Sequence, residues 1–238
     1  MMYSKISDDT MDLIIADFCS KDCDPAILQN LFTELCNNNC HHKYIKILSA
    51  NEKIQPCIND IFKTLVYSGF TEVVKILLEC NDAKINVTID NNYAIRKASS
   101  EGHIELVKLL LQYEKVDPTA DYNYAIRKAS CRGFSEIVEL LLQCEKVDPM
   151  WGSADIKSAF SETLWRGNIT IIKLLLNSGK VDPVADSNYA IREASRYGFT
   201  GIVKLLLQCD KVDPTADSNY AIRKASYRGY TEIVKLLL

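Results

Sequence analysis

Apolar residues in this chain recur at one-and-four spacing in short bursts. Ala125, Ile126 and Ala129 form one narrow stripe, and Ile137, Val138, Leu141 and Leu142 form a second one further on. This spacing predicts two short helices, each with one face to bury. Asn123 stands where it can cap the first helix at Tyr124, its side-chain oxygen accepting a free backbone N–H. Gly133 ends that helix, because a left-handed residue there strains any side chain with a Cβ. The second helix is expected from about Ser135 to Gln143. Lys146-Val147-Asp148-Pro149 then stops it, since proline lacks an N–H and disfavours helix in the residue before it. A strand-built alternative fails on the same spacing, and the Val-Asp-Pro stretch is too short and proline-broken for a core strand.

The pattern repeats along nearly the whole chain. Residues 116–142 and 212–238 agree at 22 of 27 positions. The string Asn-Tyr-Ala-Ile-Arg recurs at Tyr93, Tyr124, Tyr189 and Tyr220. A following glycine recurs at Gly69, Gly102, Gly133, Gly167, Gly198 and Gly229, spaced 33, 31, 34, 31 and 31 residues apart. The 34 reflects an insertion around Met150-Trp151-Gly152-Ser153, a candidate projecting contact loop or tolerated drift. Weaker copies at Asp24-Pro25 and Lys53-Ile54-Gln55-Pro56 bring the expectation to seven units: 23–53, 54–84, 85–115, 116–146, 147–180, 181–211 and an incomplete 212–238. Residues 1–22 are expected to supply an N-terminal capping helix with Leu13, Ile14 and Phe18 at its core positions. One such helix pair cannot bury both of its stripes, whereas stacked copies bury them against each other. The expected fold class is therefore all-α: a solenoid of stacked antiparallel helix pairs with short protruding loops.

These residues resemble the ankyrin repeat family. Its pattern, Thr-Pro-Leu-His-x-Ala-Ala-x-x-Gly-His followed by Glu-Ile-Val-x-x-Leu-Leu, is similar to Tyr124 through Phe134 and then Glu136-Ile137-Val138 with Leu141-Leu142. Residues 102–111, Gly-His-Ile-Glu-Leu-Val-Lys-Leu-Leu-Leu, are closer still. The family's Thr-Pro is replaced by Tyr-Ala, its histidine by Arg96, Arg127, Arg192 or Arg223, and its period of 33 by 31, as in protist, fungal or giant-virus arrays. A shorter projecting loop follows from the shorter period. The resemblance implies a non-catalytic protein–protein interaction scaffold that uses the inner face of the solenoid. It also implies contact positions just before each turn glycine: Tyr67 and Ser68, Ser100 and Glu101, Cys131 and Arg132, Trp165 and Arg166, Arg196 and Tyr197, Tyr227 and Arg228. Within these pairs the first residue varies while the stripes hardly change, and Trp, Tyr and Arg are the types enriched at binding hot spots. The competing reading makes them solvated helix ends, where arginine is favourable beside the C-terminal dipole.

Composition narrows the classes further. Hydrophobic residues make up 47 % and charged residues 25 % of 238, ordinary for a folded soluble chain. No apolar run approaches the ~18 residues of a membrane span, and the N-terminus lacks a signal-peptide core. The net charge of −3 disfavours wholesale attraction to nucleic acid or anionic lipid. Nine scattered cysteines suit reduced thiols in an intracellular, cytoplasmic setting rather than a disulfide framework. There the triplets Asn86-Val87-Thr88 and Asn168-Ile169-Thr170 carry no glycan. With only His41, His42 and His103, and no phosphate-cradling glycine loop, no catalytic constellation emerges; no enzyme and no cofactor are expected.

Three other features invite chemistry. Cys36, Cys40, His41 and His42, with Cys19 and Cys23 nearby, are zinc-ligand types, yet Cys36 and Cys40 fall at the small-residue and turn-glycine positions of a repeat and finger spacing is absent; no metal is expected. The arginine ladder Arg96, Arg127, Arg192 and Arg223 reads as structural, held by the loop carboxylates Asp117, Asp121, Asp186 or Asp217 or by backbone carbonyls. The tyrosine ladder reads as packing between loops. At the C-terminus, Ile233, Val234, Leu236, Leu237 and Leu238 leave a helix without a polar cap, so the chain is expected to be monomeric unless that helix pairs. An alternative function follows from the same end: an adaptor fragment of a larger protein, whose missing domain couples to an enzyme such as a ubiquitin ligase. The partner in either case is another protein.

Overall fold

The computed structural model describes residues 8–18, 24–37, 42–80, 84–150 and 158–238. The chain divides into two compact units, Met1–Asp117 and Pro118–Leu238. The first holds α1 (Asp8–Phe18), α2 (Pro25–Asn37), α3 (His42–Ser49), a 3-10 turn (Gln55–Cys57), α4 (Ile58–Ser68), α5 (Thr71–Glu79), α6 (Ile89–Glu101) and α7 (Ile104–Leu110). The second holds α8 (Ala120–Arg132), α9 (Ser135–Leu142), α10 (Ala159–Arg166), α11 (Ile169–Asn177), α12 (Ala185–Tyr197), α13 (Thr200–Leu206), α14 (Ala216–Tyr227) and α15 (Thr231–Leu237). Among the described residues there is no strand.

Within each unit the helices form two rows. In the first, α2 packs on α4 and α4 on α6, while α3 packs on α5 and α5 on α7. In the second, α8, α10, α12 and α14 form one row and α9, α11, α13 and α15 the other. The reason lies in side-chain size. First helices bury Ala94, Ile95 and Ala98, or Ala125, Ile126 and Ala129, or Ala190, Ile191 and Ala194. Such small faces let helix axes approach to the short end of the usual range of about 8–10 Å. Second helices bury larger triplets: Leu106, Val107 and Leu110; Ile137, Val138 and Leu141; Ile171, Ile172 and Leu175; Ile202, Val203 and Leu206. Each such side chain contributes roughly 1.5–3 kcal/mol of transfer free energy. The valines of the Val-Asp-Pro loops (Val116, Val147, Val181 and Val212) are buried as well.

Two local expectations are corrected. In α1 the buried face is Met11 and Ile15, one turn apart, and Leu13 is 74 % exposed. The side chain of Phe18 lies outside the described residues. The second correction concerns Asn123. It does not cap its own helix, because its side-chain oxygen bonds the following loop. Asp121, Tyr122 and Asn123 instead form a left-handed turn, with φ of 54, 60 and 56°. The same turn recurs at Asp90-Asn91-Asn92, Asp186-Ser187-Asn188 and Asp217-Ser218-Asn219. With its backbone turned this way, Asn123 aims its Oδ1 at the following loop and accepts from the Asp148 N–H at 3.0 Å. Asn92 likewise accepts from Asp117 at 2.8 Å and Asn188 from Asp213 at 2.9 Å.

Three successive left-handed residues with side chains are costly, at about 1–2 kcal/mol each, although Asp and Asn tolerate the conformation best. The arginine ladder offsets that cost. Arg96 donates from Nε to the Asn91 carbonyl at 2.9 Å and from Nη2 to the Asp90 carbonyl at 2.8 Å. Arg127 does the same to Tyr122 and Asp121, and Arg192 to Ser187 and Asp186. The planar fork thus closes over carbonyls that a left-handed turn leaves without helical partners. A carboxylate joins at Arg192, whose Nη1 lies 2.8 Å from Asp217 Oδ2. The divergent repeat supplies the counter-example. Its equivalent of the arginine is Ser161, it has no Asp-x-Asn string, and its helix begins conventionally at Ser158 (φ −65°, ψ 163°), whose hydroxyl accepts from the Ser161 N–H at 3.1 Å. The arginine and the Asp-x-Asn string are lost together.

Candidate functional site

The pairs of residues before the turn glycines all end first helices, and the two units present them differently. In the first unit Tyr67 and Ser68 close α4 and are exposed, while Ser100 and Glu101 close α6 and turn partly inward. Lys97 lies over the Tyr67 ring, 4.6 Å from its centroid, and bonds Glu101 at 2.8 Å. That bond to Glu101 holds the ammonium proton and raises the Lys97 pKa. Ser100 donates to Glu101 Oε1 at 3.2 Å, so the carboxylate is engaged from both sides. Next to it His103 places a ring nitrogen 2.9 Å from the Tyr67 carbonyl.

In the second unit the pairs are Cys131 and Arg132, Trp165 and Arg166, Arg196 and Tyr197, Tyr227 and Arg228. Trp165 is 52 % exposed, yet its indole N–H donates to the Tyr197 hydroxyl at 3.0 Å. The two rings meet edge to face at 6.3 Å, and Tyr197 in turn stacks on Phe199 at 6.0 Å. Phe199 is seated by a glycine: a Cβ on Gly167 would lie 2.6 Å from its ring, and Gly167 has φ of +70°. The three aromatics therefore form one supported cluster. Arg196 lies over the Tyr197 ring, 5.3 Å from its centroid, and pairs with Glu193 at 3.3 Å. Glu193 is nearly buried, and its charge raises the Arg196 pKa further. Arg166 donates to Cys131 Sγ at 3.2 Å. Tyr227 and Arg228 follow, both exposed.

Sequence reasoning named these positions at the helix ends but missed the packing beneath Trp165. Phe199 follows its turn glycine, as His103 and Tyr230 follow theirs, and each ring covers the preceding repeat's glycine. An aromatic recurring after the glycine was the available signal. Two members of the tyrosine ladder make cation–π contacts: Arg192 lies 5.4 Å from the Tyr220 ring, and Lys128 5.5 Å from Tyr124. Burial raises the pKa of the Tyr189 phenol. Among the described residues no group of three or more His, Cys, Asp or Glu is placed to hold a metal. Of the zinc-type cluster, Cys36 is buried in α2, while Cys40, His41 and the His42 side chain lie outside the described residues, as do Trp151, Gly152 and Ser153. No helix among the described residues is long and apolar enough to cross a membrane.

Stacked antiparallel helix pairs, a left-handed glycine at each turn and a row of variable side chains before it define a repeat solenoid of the ankyrin type. The comparisons agree. Residues 62–150 match the family model of ankyrin repeats in three copies. Among solved structures the chain is similar to EF0377, an ankyrin repeat protein, with 26 % identity and a TM-score of 0.62 over 74 % of this chain and 95 % of that one. It is also similar to the ankyrin repeat domain of human ASB11, with 19 % identity and a TM-score of 0.59 over 74 % of this chain and 81 % of that one. No curated protein matches the sequence significantly.

Proposed function

We propose that the chain is a non-catalytic protein-binding scaffold and that the end-of-helix row of the second unit is its contact surface. Ankyrin repeats are in general protein–protein interaction modules, which supports the class. One observation carries the choice of surface: Trp165, half exposed, is hydrogen-bonded and packed edge to face on Tyr197, which stacks in turn on Phe199. An ordered aromatic loses little side-chain entropy on binding and offers large contact area, which is what hot spots require. Arg132, Arg166, Arg196 and Arg228 flank it with directed donors, and Tyr67 and Glu101 offer a smaller patch in the first unit. The buried thiols of Cys36 and Cys80 suit a reducing, intracellular setting.

The test is a photo-crosslinking residue at position 165 of the full chain, with a second placed at the exposed Lys173 as control. A protein captured from position 165 and not from 173 is the expected result. With that partner purified, Trp165→Ala should weaken binding at least tenfold, since truncating a hot-spot aromatic costs about 2 kcal/mol or more. Unchanged affinity in both Trp165→Ala and Tyr197→Ala variants that keep wild-type helicity moves the site elsewhere.

A further inference from the structure

We infer that the row of the second unit takes an extended acidic segment of its protein partner, with carboxylates on the arginines and one apolar side chain on the Trp165–Tyr197 rings. The inference rests on the protein-binding reading of the same row and adds the partner's chemistry. Each of the four successive first helices carries one arginine at its end: Arg132, Arg166, Arg196 and Arg228. The five positions before the turn glycine of each of those helices hold six cations, these four with Lys128 and Lys224, against two carboxylates, Glu162 and Glu193. Glu193 is nearly buried beneath Arg196, so little negative charge reaches the surface there. This cationic stripe belongs to a chain whose net charge is −3.

The asymmetry follows the division into units. Residues 1–117 hold 12 Lys and Arg against 17 Asp and Glu, and residues 118–238 hold 16 against 14. The equivalent helix ends of the first unit, Tyr67 with Ser68 and Ser100 with Glu101, have no arginine. Positive charge at this position is therefore a property of the second unit and not of the repeat. Arginine forks match carboxylates in two-point geometry, and charge of this kind selects the partner while the aromatic stack anchors it.

Spacing refines the match. Packed helices lie about 8–10 Å apart, and an extended chain in the polyproline II form advances about 3.1 Å per residue and returns to the same face every third residue. One arginine per repeat therefore meets an acidic side chain at about every third residue. A nucleic-acid duplex brings one charge per about 1.7 Å, far denser than this row answers, which favours the peptide.

Fluorescence anisotropy with the full chain decides it. The probes are a labelled eleven-residue peptide with Glu at every third position around one Leu, the same peptide with Gln for each Glu, and an oligothymidylate of twelve nucleotides. The acidic peptide should bind at least tenfold tighter than either comparison probe, and tenfold weaker to the Arg132→Glu, Arg228→Glu double variant. Arg228→Glu alone should weaken it about threefold. Lys173→Glu, exposed on α11, should leave it unchanged, with circular dichroism confirming the fold of every variant. Equal binding of the Gln peptide, no binding of the acidic one, or tighter binding of the oligonucleotide overturns the inference, and the last assigns the row to nucleic acid. If position 165 still crosslinks a protein when the acidic peptide fails, the scaffold reading stands and only the acidic partner falls. If both fail, the site itself is lost.

Discussion

Ser99, Ser130 and Ser195 occupy the same turn of α6, α8 and α12, and each hydroxyl is buried without a hydrogen-bond partner. An unpartnered buried hydroxyl costs roughly 1–3 kcal/mol, and the position needs only a small side chain. Ser195→Ala should therefore raise stability by about 1 kcal/mol in urea unfolding; a lowered midpoint would show that the hydroxyl is stabilising after all. The turn glycines make a second residue-scale comparison. Gly198 and Gly229 both have positive φ, of 80 and 75°. A Cβ on Gly198 would meet the Tyr230 ring at 2.8 Å, whereas nothing lies within 4 Å of one on Gly229. Gly229→Ala should cost about 1 kcal/mol of backbone strain and Gly198→Ala appreciably more, because the ring must also move. Equal losses in thermal unfolding would mean that the ring yields without penalty.

At the scale of the element, the left-handed turn, its arginine and its asparagine act together. The Asn123 side chain is almost fully buried, so removing its oxygen leaves the Asp148 N–H without its acceptor. Asn123→Ala is expected to destabilise by roughly 1–3 kcal/mol. Arg192→Ala removes two bonds to its own turn and one to Asp217 in the next repeat. A loss of about 1–2 kcal/mol is expected for this partly screened group. Arg192→Lys should recover less than half of it, since a single ammonium cannot span two carbonyls as a fork does. Full recovery with lysine would show that charge alone matters. That these arginines face their own backbone removes them from the list of ligand-binding candidates.

At the scale of the molecule, each pair packs on the pairs beside it within its unit, so stability there behaves as a sum of intrinsic and nearest-neighbour contributions. Leu206 is fully buried in α13, which packs against α11, α12 and α15. Leu206→Ala should cost about 2–5 kcal/mol locally. Hydrogen exchange should then quicken in α12–α15 first and leave α4 and α5 of the first unit protected. Uniform loss of protection would point to a single cooperative block. The charge contrast between the units belongs to this scale as well. It cannot be seen in one repeat and appears only when the helix ends of four repeats are read as a row.

The helix pairs, the period and the turn glycines were legible in the amino-acid order, because one-and-four apolar spacing and a residue free to adopt positive φ are local properties. The row before the glycines was legible too, as positions that vary where the stripes do not. The left-handed turns were not. Asp-x-Asn before a helix reads as a cap when only neighbouring residues are considered, and Asn123 becomes a strut only because the Asp148 N–H, 25 residues onward, comes within 3.0 Å. Nor did the order of residues reveal that Trp165 rests on Tyr197, 32 positions away, with Phe199 beneath. Local chemistry thus determined which helices form and where they stop. The distance between neighbouring repeats, set by alanine-sized faces, decided which polar groups find each other and which rings pack together.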